Sequence, residues 1–410
     1  MTRGGEVDRT SRVWATARAA LRRCLGALLL VAALGTACLA HAQERTPDAF
    51  APGFKLHLSF HTNGIHVEGG RWRYVDLLAS TADLDLDQLA GWRGASGHME
   101  LLHNYGARPG DLAGTLQRTN DEDVVTRRFR IYQAWVDQSF AGGRASLLAG
   151  VYDFKHEFAA VPASGDLLNP SFSIAPELSR SGPGGAAVFP TSALAARLRV
   201  RSQALGYLQA AVVNADAGTV GDVGGLDTSF RKGLLLIGEV GIAGRTRLAA
   251  GAWRYTHAQP DIRNLLAPGA PAHRASGGIY ALMEAPLRST ASGVRNLTVF
   301  ARAGLSDGDT TPFAGSWQAG LRLDRMVSFR PDSVLSLGVT QALISRKFRE
   351  NRADAGRITP PTETALELGY SDKLNRLLTL QPDLQWVHHP ALNRFAKDAV
   401  VMSIRMKFEL

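Results

Sequence analysis

Val400-Val401-Met402-Ser403-Ile404-Arg405-Met406-Lys407-Phe408-Glu409-Leu410 ends the chain, and its reading decides the fold. Val400, Met402, Ile404, Met406, Phe408 and Leu410 are apolar, and Val401, Ser403, Arg405, Lys407 and Glu409 lie between them. Successive strand side chains point to opposite faces, so this segment has one oily face and one mostly ionic face. A helix would scatter the same charges around its circumference. The segment is a strand.

The pattern recurs upstream. Phe54, Leu56, Leu58 and Phe60 alternate with Lys55, His57, Ser59 and His61, and Leu194, Ala196, Leu198 and Val200 with Ala195, Arg197, Arg199 and Arg201. Ala319, Leu321 and Leu323 alternate with Gln318, Gly320, Arg322 and Asp324, and Leu366, Leu368 and Tyr370 with Ala365, Glu367 and Gly369. Leu380, Leu384 and Trp386 stand against Gln381, Asp383 and Gln385. Gly206–Asn214 and Gly233–Ile242 are apolar on both faces and fit less well.

Alternation alone suits either a soluble sandwich with the oily face inside or an outer-membrane barrel with that face toward lipid. Three features favour the barrel. Strands of about 10 residues recur to the last residue with no helical pattern between them. Trp and Tyr fall near strand ends (Trp72, Tyr74, Trp92, Tyr105, Trp135, Tyr152, Trp253, Tyr255, Trp317, Tyr370, Trp386), where interfacial girdles are expected. The chain also ends on a strand carrying Phe408, although its last residue is Leu410 rather than Phe.

An open sheet edge in hydrocarbon leaves amides unpaired at a cost of several kcal/mol each, so a spanning sheet must close. Residues 43–410 number 368. At roughly 20–23 residues per strand with its connection, they make about 16–18 strands, enough for an aqueous channel. The expected fold is all-β: a transmembrane antiparallel up-and-down β-barrel of about 16 strands, with 18 as the upper count.

The composition agrees. The chain has 410 residues, 45% hydrophobic and 20% charged, and its mean hydropathy of −0.07 is too polar for a bundle of membrane helices. Both cysteines, Cys24 and Cys38, precede residue 40, which excludes a disulfide scaffold or a Cys-based zinc site in the remainder. A net charge of +9 raises nucleic acid as a partner, but export argues against it. Arg12, Arg18, Arg22 and Arg23 precede the uncharged run Cys24–Ala40, which is followed by Ala40-His41-Ala42, a signal-peptidase type of site. Residues 1–42 are expected to be a cleaved secretory signal peptide and 43–410 the barrel domain.

Four stretches interrupt the strand rhythm: Gly106–Thr126, Asp153–Thr191, Thr256–Gly277 and Ser345–Thr362. Connections this long are usually functional. The three shorter ones read as solvated outer loops. Asp153–Thr191 reads as an inward fold that narrows the pore, because Phe172, Ile174, Val188 and Phe189 are too apolar for a free tip.

Several segments resemble the carbohydrate-selective porins of the OprB family. They are Tyr132–Phe140 leading through Gly150–Phe158, then Asn169-Pro170-Ser171-Phe172 and Phe189-Pro190-Thr191-Ser192-Ala193-Leu194-Ala195-Ala196-Arg197-Leu198-Arg199. Asp85–Leu89 with Gly91-Trp92, Asn296–Gly304, Glu367–Tyr370 and Leu380–Val387 with Pro390 follow the same family's order. Ala195, where the family commonly has Gly, and Leu410 depart from it. The resemblance spans about residues 50–410 and implies a 16-stranded barrel that admits monosaccharides such as glucose across the outer membrane of a Gram-negative bacterium by diffusion. Implied partners are small carbohydrates, outer-membrane lipid and lipopolysaccharide, and the outer-membrane assembly machinery, but no nucleic acid. The protein would be a monomer or homotrimer, without enzymatic activity, cofactor or metal.

A neutral sugar offers no charge, so hydrogen bonds, ring stacking and pore size must select it, and binding must stay weak enough for release. The residues expected to line the pore and contact sugar are Arg197, Arg199, Arg201, Arg302, Arg322, Asp324, Glu367, Gln385, Arg405 and Lys407, with Arg197 and Arg199 nearest the narrow zone. Asn169, Phe172 and Phe189 belong to the constriction loop. The bland reading is that many of these charges solvate the inner wall or pair with one another. A general or weakly anion-preferring porin is the alternative function, and a non-conducting assembly or adhesion barrel a third.

Overall fold

A computed structural model describes residues 52–123, 127–202, 206–263, 269, 271–289, 296–392 and 398–410. The expected signal peptide lies outside the described residues. The strands of the first half are β1 (Phe54–Val67), β2 (Arg73–Asp85), β3 (Ala95–Gly106), β4 (Phe129–Phe140), β5 (Ala145–Tyr152), β6 (Ala193–Ser202), β7 (Gly206–Asn214), β8 (Leu234–Ala243) and β9 (Arg247–Tyr255). After a two-residue pair, β10 (Gln259–Pro260) with β11 (His273–Arg274), come β12 (Gly277–Ser289), β13 (Asn296–Ser306), β14 (Phe313–Asp324), β15 (Val334–Ile344), β16 (Thr362–Lys373), β17 (Leu378–His388) and β18 (Asp398–Glu409).

All but β10 and β11 form one closed sheet of sixteen strands, each paired with its sequence neighbour, and β1 closes the ring on β18. The closing register places His61 opposite Lys407 and Asn63 opposite Arg405. Leu410 contributes to closure, exchanging backbone hydrogen bonds of 2.9 and 3.0 Å with Leu58. Among the described residues the sixteen-stranded sheet leaves no edge open to hydrocarbon, the condition lipid imposes.

The two faces of the wall fall as the alternation requires. Met402 and Ile404 are 43% and 45% exposed, while Val401, Ser403 and Arg405 between and beside them are at most 3% exposed. Leu198 and Val200 of β6, Leu366 and Leu368 of β16, and Leu384 and Trp386 of β17 also face outward. Arg197, Glu367 and Gln385 face inward and are buried. This inverts a soluble protein, whose oily face would be the buried one.

The strand order puts the connections at alternate ends. The connections 141–144, 244–246 and 374–377 are short and lie at the end carrying both strand termini, Phe54 and Glu409. At the opposite end lie 107–123, 153–192, 215–233 and 345–361. Outer-membrane barrels keep short turns on the periplasmic side and long loops outside.

Two of these long connections fold into the barrel. Residues 153–192 carry Phe154, Phe158, Leu167, Phe172, Ile174 and Leu178 into a buried apolar cluster with Ala211 and Val213 of β7, Leu235 and Ile237 of β8, and Trp253 and Tyr280. This explains why β7 and β8 are apolar on both faces: one meets lipid, the other a folded connection. Gly338 on β15 makes room for it, since a Cβ there would come within 2.6 Å of both Phe172 and Leu167.

The connection 107–123 corrects an expectation. In place of the expected solvated outer loop, Gln117, Thr119, Asn120, Glu122 and Asp123 are at most 5% exposed, and the segment binds the inner wall. Its acidic run is held by inward-facing Arg405, a partner distant in sequence. The girdle reading also needs correction for some residues. Trp72, Trp92, Tyr105, Trp317 and Trp386 are exposed on the outside, whereas Tyr152, Trp253 and Tyr255 are at most 3% exposed and pack against the inward connection. Short helices also occur between strands, contrary to the expectation of none, at Leu86–Ala90 and Arg346–Asp354. The first is capped by the Asp85 side chain and stopped by Gly91 at φ 68°.

Candidate functional site

The candidate site is the lumen: the inward faces of the sixteen strands and the two connections folded among them. Its main charges lie in four groups.

On β6, Arg197 donates to Glu157 (2.8 and 3.0 Å), Asp137 (3.2 Å) and the Ser146 hydroxyl (2.5 Å). Arg199, two residues on and so on the same face, donates to Gln209 at 2.8 Å and pairs with Glu157 at 3.3 Å. Arg201 lines the same wall pocket. Glu157 arrives from the 153–192 connection, and Tyr152 donates to it at 2.6 Å.

Near the closure, Arg405 reaches Asn63 (2.6 Å), Asn120 (3.2 Å), Asp121 (2.6 Å) and Glu122 (3.4 Å). Glu122 also meets His61 at 2.6 Å and accepts from Asn63 at 2.7 Å. Burial alone would raise the Glu122 carboxyl, but Arg405, His61 and Asn63 outweigh it and hold the group well below the usual carboxylate range. Lys407 lies opposite His61 in the closing register.

On β14, Arg322 pairs with Asp166 of the inward connection and, at 2.8 Å, with its own-strand neighbour Asp324. On β9, Arg247 sits 3.6 Å from Glu239 and 3.4 Å from Glu284. Ion pairs of this kind leave fixed donors and acceptors along the wall with little net field.

Several of the residues expected to contact sugar bind the inward segments. Arg302 is 3% exposed and donates to the carbonyls of Ala159 (2.8 Å) and Ser171 (2.6 Å) and to Gln318 (3.2 Å). Glu367 is fully buried and accepts from the backbone N–H groups of Leu168 and Asn169, the latter at 3.0 Å. Gln385 donates to the Thr119 carbonyl at 2.8 Å and to Asp383 at 3.0 Å. The apolar connection thus keeps its orphan backbone groups satisfied away from water.

The three expected loop residues do different things. The Asn169 side chain caps Ser171 N–H at 3.0 Å and donates to the Arg118 carbonyl at 3.1 Å. Phe172 is fully buried and meets Phe300 edge-on with centroids 6.5 Å apart. Phe189 stacks edge-on with Tyr132 at 5.6 Å and lies under the Lys155 ammonium at 4.8 Å.

Sequence reading missed Asp137, Glu157, Asp166, Asn63, His61, Asp121 and Glu122. Asp121 and Glu122 carried a signal, a run of acids in a chain rich in inward arginines. Glu157 and Asp166 carried none, being isolated acids in an apolar stretch.

The chain matches the family model described as carbohydrate-selective porin, OprB family, over residues 71–410. Among solved structures it is similar to the high-pH structure of Pseudomonas putida OprB, at 19% identity and TM-score 0.76, covering 87% of this chain and 94% of that one. The low-pH structure of the same protein aligns at 16% identity and TM-score 0.56, over 87% and 93% of the two chains. A mutant porin of Rh. blastica aligns at 11% identity and TM-score 0.51, over 87% of this chain and all of that one. No curated protein sequence matches the chain.

Proposed function

The chain belongs to the carbohydrate-selective porin family OprB, and from that premise we propose that it passes glucose-like monosaccharides by passive diffusion down the lumen, past a narrowing formed by residues 153–192. It is a carbohydrate-selective porin of the outer membrane, a channel rather than an enzyme.

The observation that carries the choice of neutral monosaccharide is the matching of lumen charges. Arg197, Arg247, Arg322 and Arg405 each face carboxylates within 4 Å. A field cancelled in this way attracts neither anion nor cation strongly, yet its N–H and carboxylate groups can exchange with the water partners of sugar hydroxyls. Aromatic faces on the inward segments would cover the C–H surface of a ring. Each contact replaces one to water, so binding stays weak and passage is not stalled. Arg197, Arg199, Arg201, Arg322, Asp324 and Lys407 are the groups assigned to sugar contact, while Arg302, Glu367, Gln385 and Arg405 hold the segments that define the passage.

The remaining assignments follow from this reading. Residues 1–42 are a cleaved signal peptide and 43–410 the barrel domain of a Gram-negative outer-membrane protein. Lipid and lipopolysaccharide surround the outer face, the assembly machinery inserts it, and the unit is a monomer or a homotrimer. Liposome swelling tests the function. Glucose should enter proteoliposomes markedly faster than sucrose, and rates should differ little between neutral sugars and small anions of equal size. Uptake ordered by anionic charge instead would favour an anion-preferring pore.

A further inference from the structure

The charge matching fails at one place. Between the β4–β5 turn and β6 lies a polar cavity of about 150 Å³, lined among others by Trp135, Asp137, Arg144 and the three arginines of β6. Glu157 closes one side of it, leaving four arginines against two carboxylates, Asp137 and Glu157, a surplus of two positive charges.

The surplus is not diffuse. Arg197 and Arg199 are committed to Glu157, Asp137 and Gln209. The guanidinium groups of Arg144 and Arg201 have no ion pair or side-chain hydrogen bond among the described residues, and both side chains are exposed. Two buried polar atoms of lining residues are also without partners: Trp135 Nε1, a donor, and Asp137 Oδ1, an acceptor. A buried polar atom without a partner carries a desolvation cost that a ligand can relieve. The cavity sits toward the barrel end that carries Phe54 and Glu409.

We propose that this cavity is a subsite for a monosaccharide bearing one anionic group, with Arg144 and Arg201 taking the anion and Trp135 Nε1 and Asp137 Oδ1 taking ring hydroxyls. The inference rests on the lumen being the sugar path, and extends the substrate class from neutral sugars to sugar acids. A planar guanidinium fits a carboxylate two-pronged, so a uronate is the natural occupant. A hexose phosphate shares the chemistry and is distinguished by test. The volume suits one sugar ring rather than a disaccharide.

The test is current block in planar bilayers holding the purified channel, with glucuronate, glucose 6-phosphate, glucose and acetate added separately on each side. Glucuronate should half-block the current at a concentration about tenfold below that of glucose, the factor expected of one charge-assisted hydrogen bond, and more effectively from the short-turn side. Acetate should not block, because it lacks the ring. In the double variant R144Q/R201Q the ratio of glucuronate to glucose should fall to about one; both positions are exposed, so folding should be unaffected. Stronger block by glucose 6-phosphate than by glucuronate would overturn the carboxylate assignment. A conducting channel that glucose and glucuronate block alike, or a ratio the double variant leaves intact, overturns the subsite and leaves the pore standing. A preparation that does not conduct overturns the pore, and the subsite with it.

Discussion

Arg405 Nη2 lies 2.6 Å from Asp121 Oδ1, joining the closing strand of the barrel to a connection that starts some three hundred residues earlier. Arg405 is 3% exposed and Glu122, its second carboxylate, 4%. Removing one member of a buried ion pair strands the other without compensation, at about 3–5 kcal/mol. Arg405→Ala should therefore lower unfolding stability by about that amount and release residues 115–123 into the lumen. Denaturant unfolding in lipid measures the first effect, and excess open-channel noise reports the second. A silent substitution would mean the pair does not hold the connection in place.

Glu367 should behave differently. It accepts from two backbone N–H groups, those of Leu168 and Asn169. Glu367→Ala leaves two buried amides without acceptors, at about 1–3 kcal/mol each. The expected outcome is a larger single-channel conductance, since the 153–192 connection loses an anchor. Unchanged conductance would remove that connection from the narrowing.

Gly338 tests the same connection by size rather than charge. Gly338→Val places methyl groups where Phe172 and Leu167 sit, each within 2.6 Å of even a Cβ. Overpacking of this kind costs about 1–3 kcal/mol. Conductance should rise and the rate of sugar swelling should lose its dependence on sugar size. Retained discrimination between glucose and sucrose would contradict the account.

The Asp123 carboxyl offers a pH signature. Burial raises it, against the pull of Arg118 and the Gly110 N–H, to about 6 from an ordinary 3.8. A carboxyl whose folded pKa is raised binds its proton more tightly in the folded state. Its contribution is therefore fully present below about pH 4 and lost as pH rises through about 6. Asn keeps the shape of the neutral form. Asp123→Asn should be more stable than the parent at pH 8 and equal to it near pH 4. Thermal unfolding in detergent across this range checks the sign. A stability gain confined to low pH would reverse it.

Much of the wall was legible because lipid and water impose opposite demands on alternate residues. Met402 and Arg405, or Leu198 and Arg199, declare their faces without any partner being known. Closure and strand number follow from the same constraint together with chain length. The interior was legible only where apolar residues interrupted a polar stretch. Phe172 and Val188 marked 153–192 as inward, and the two-sided apolar β7 and β8 were its unread counterpart. The connection 107–123 was not legible, because its polar residues are satisfied by Arg405, Glu363 and Gln385, contacts that no local pattern encodes. For the same reason Arg302 and Glu367 could be placed on the inner face, but not assigned to holding backbone.

The central claim is that Leu198 looks at acyl chains and Arg199, its neighbour, at enclosed water. Both cysteines of the chain precede residue 40, so the 43–410 barrel domain has none and single-cysteine variants L198C and R199C can be labelled cleanly. Each, carrying an environment-sensitive fluorophore, would be reconstituted into bilayers containing brominated lipid and then exposed to aqueous iodide. The account predicts quenching by brominated lipid at 198 and by iodide at 199. The opposite assignment, or iodide quenching at both positions, would contradict it.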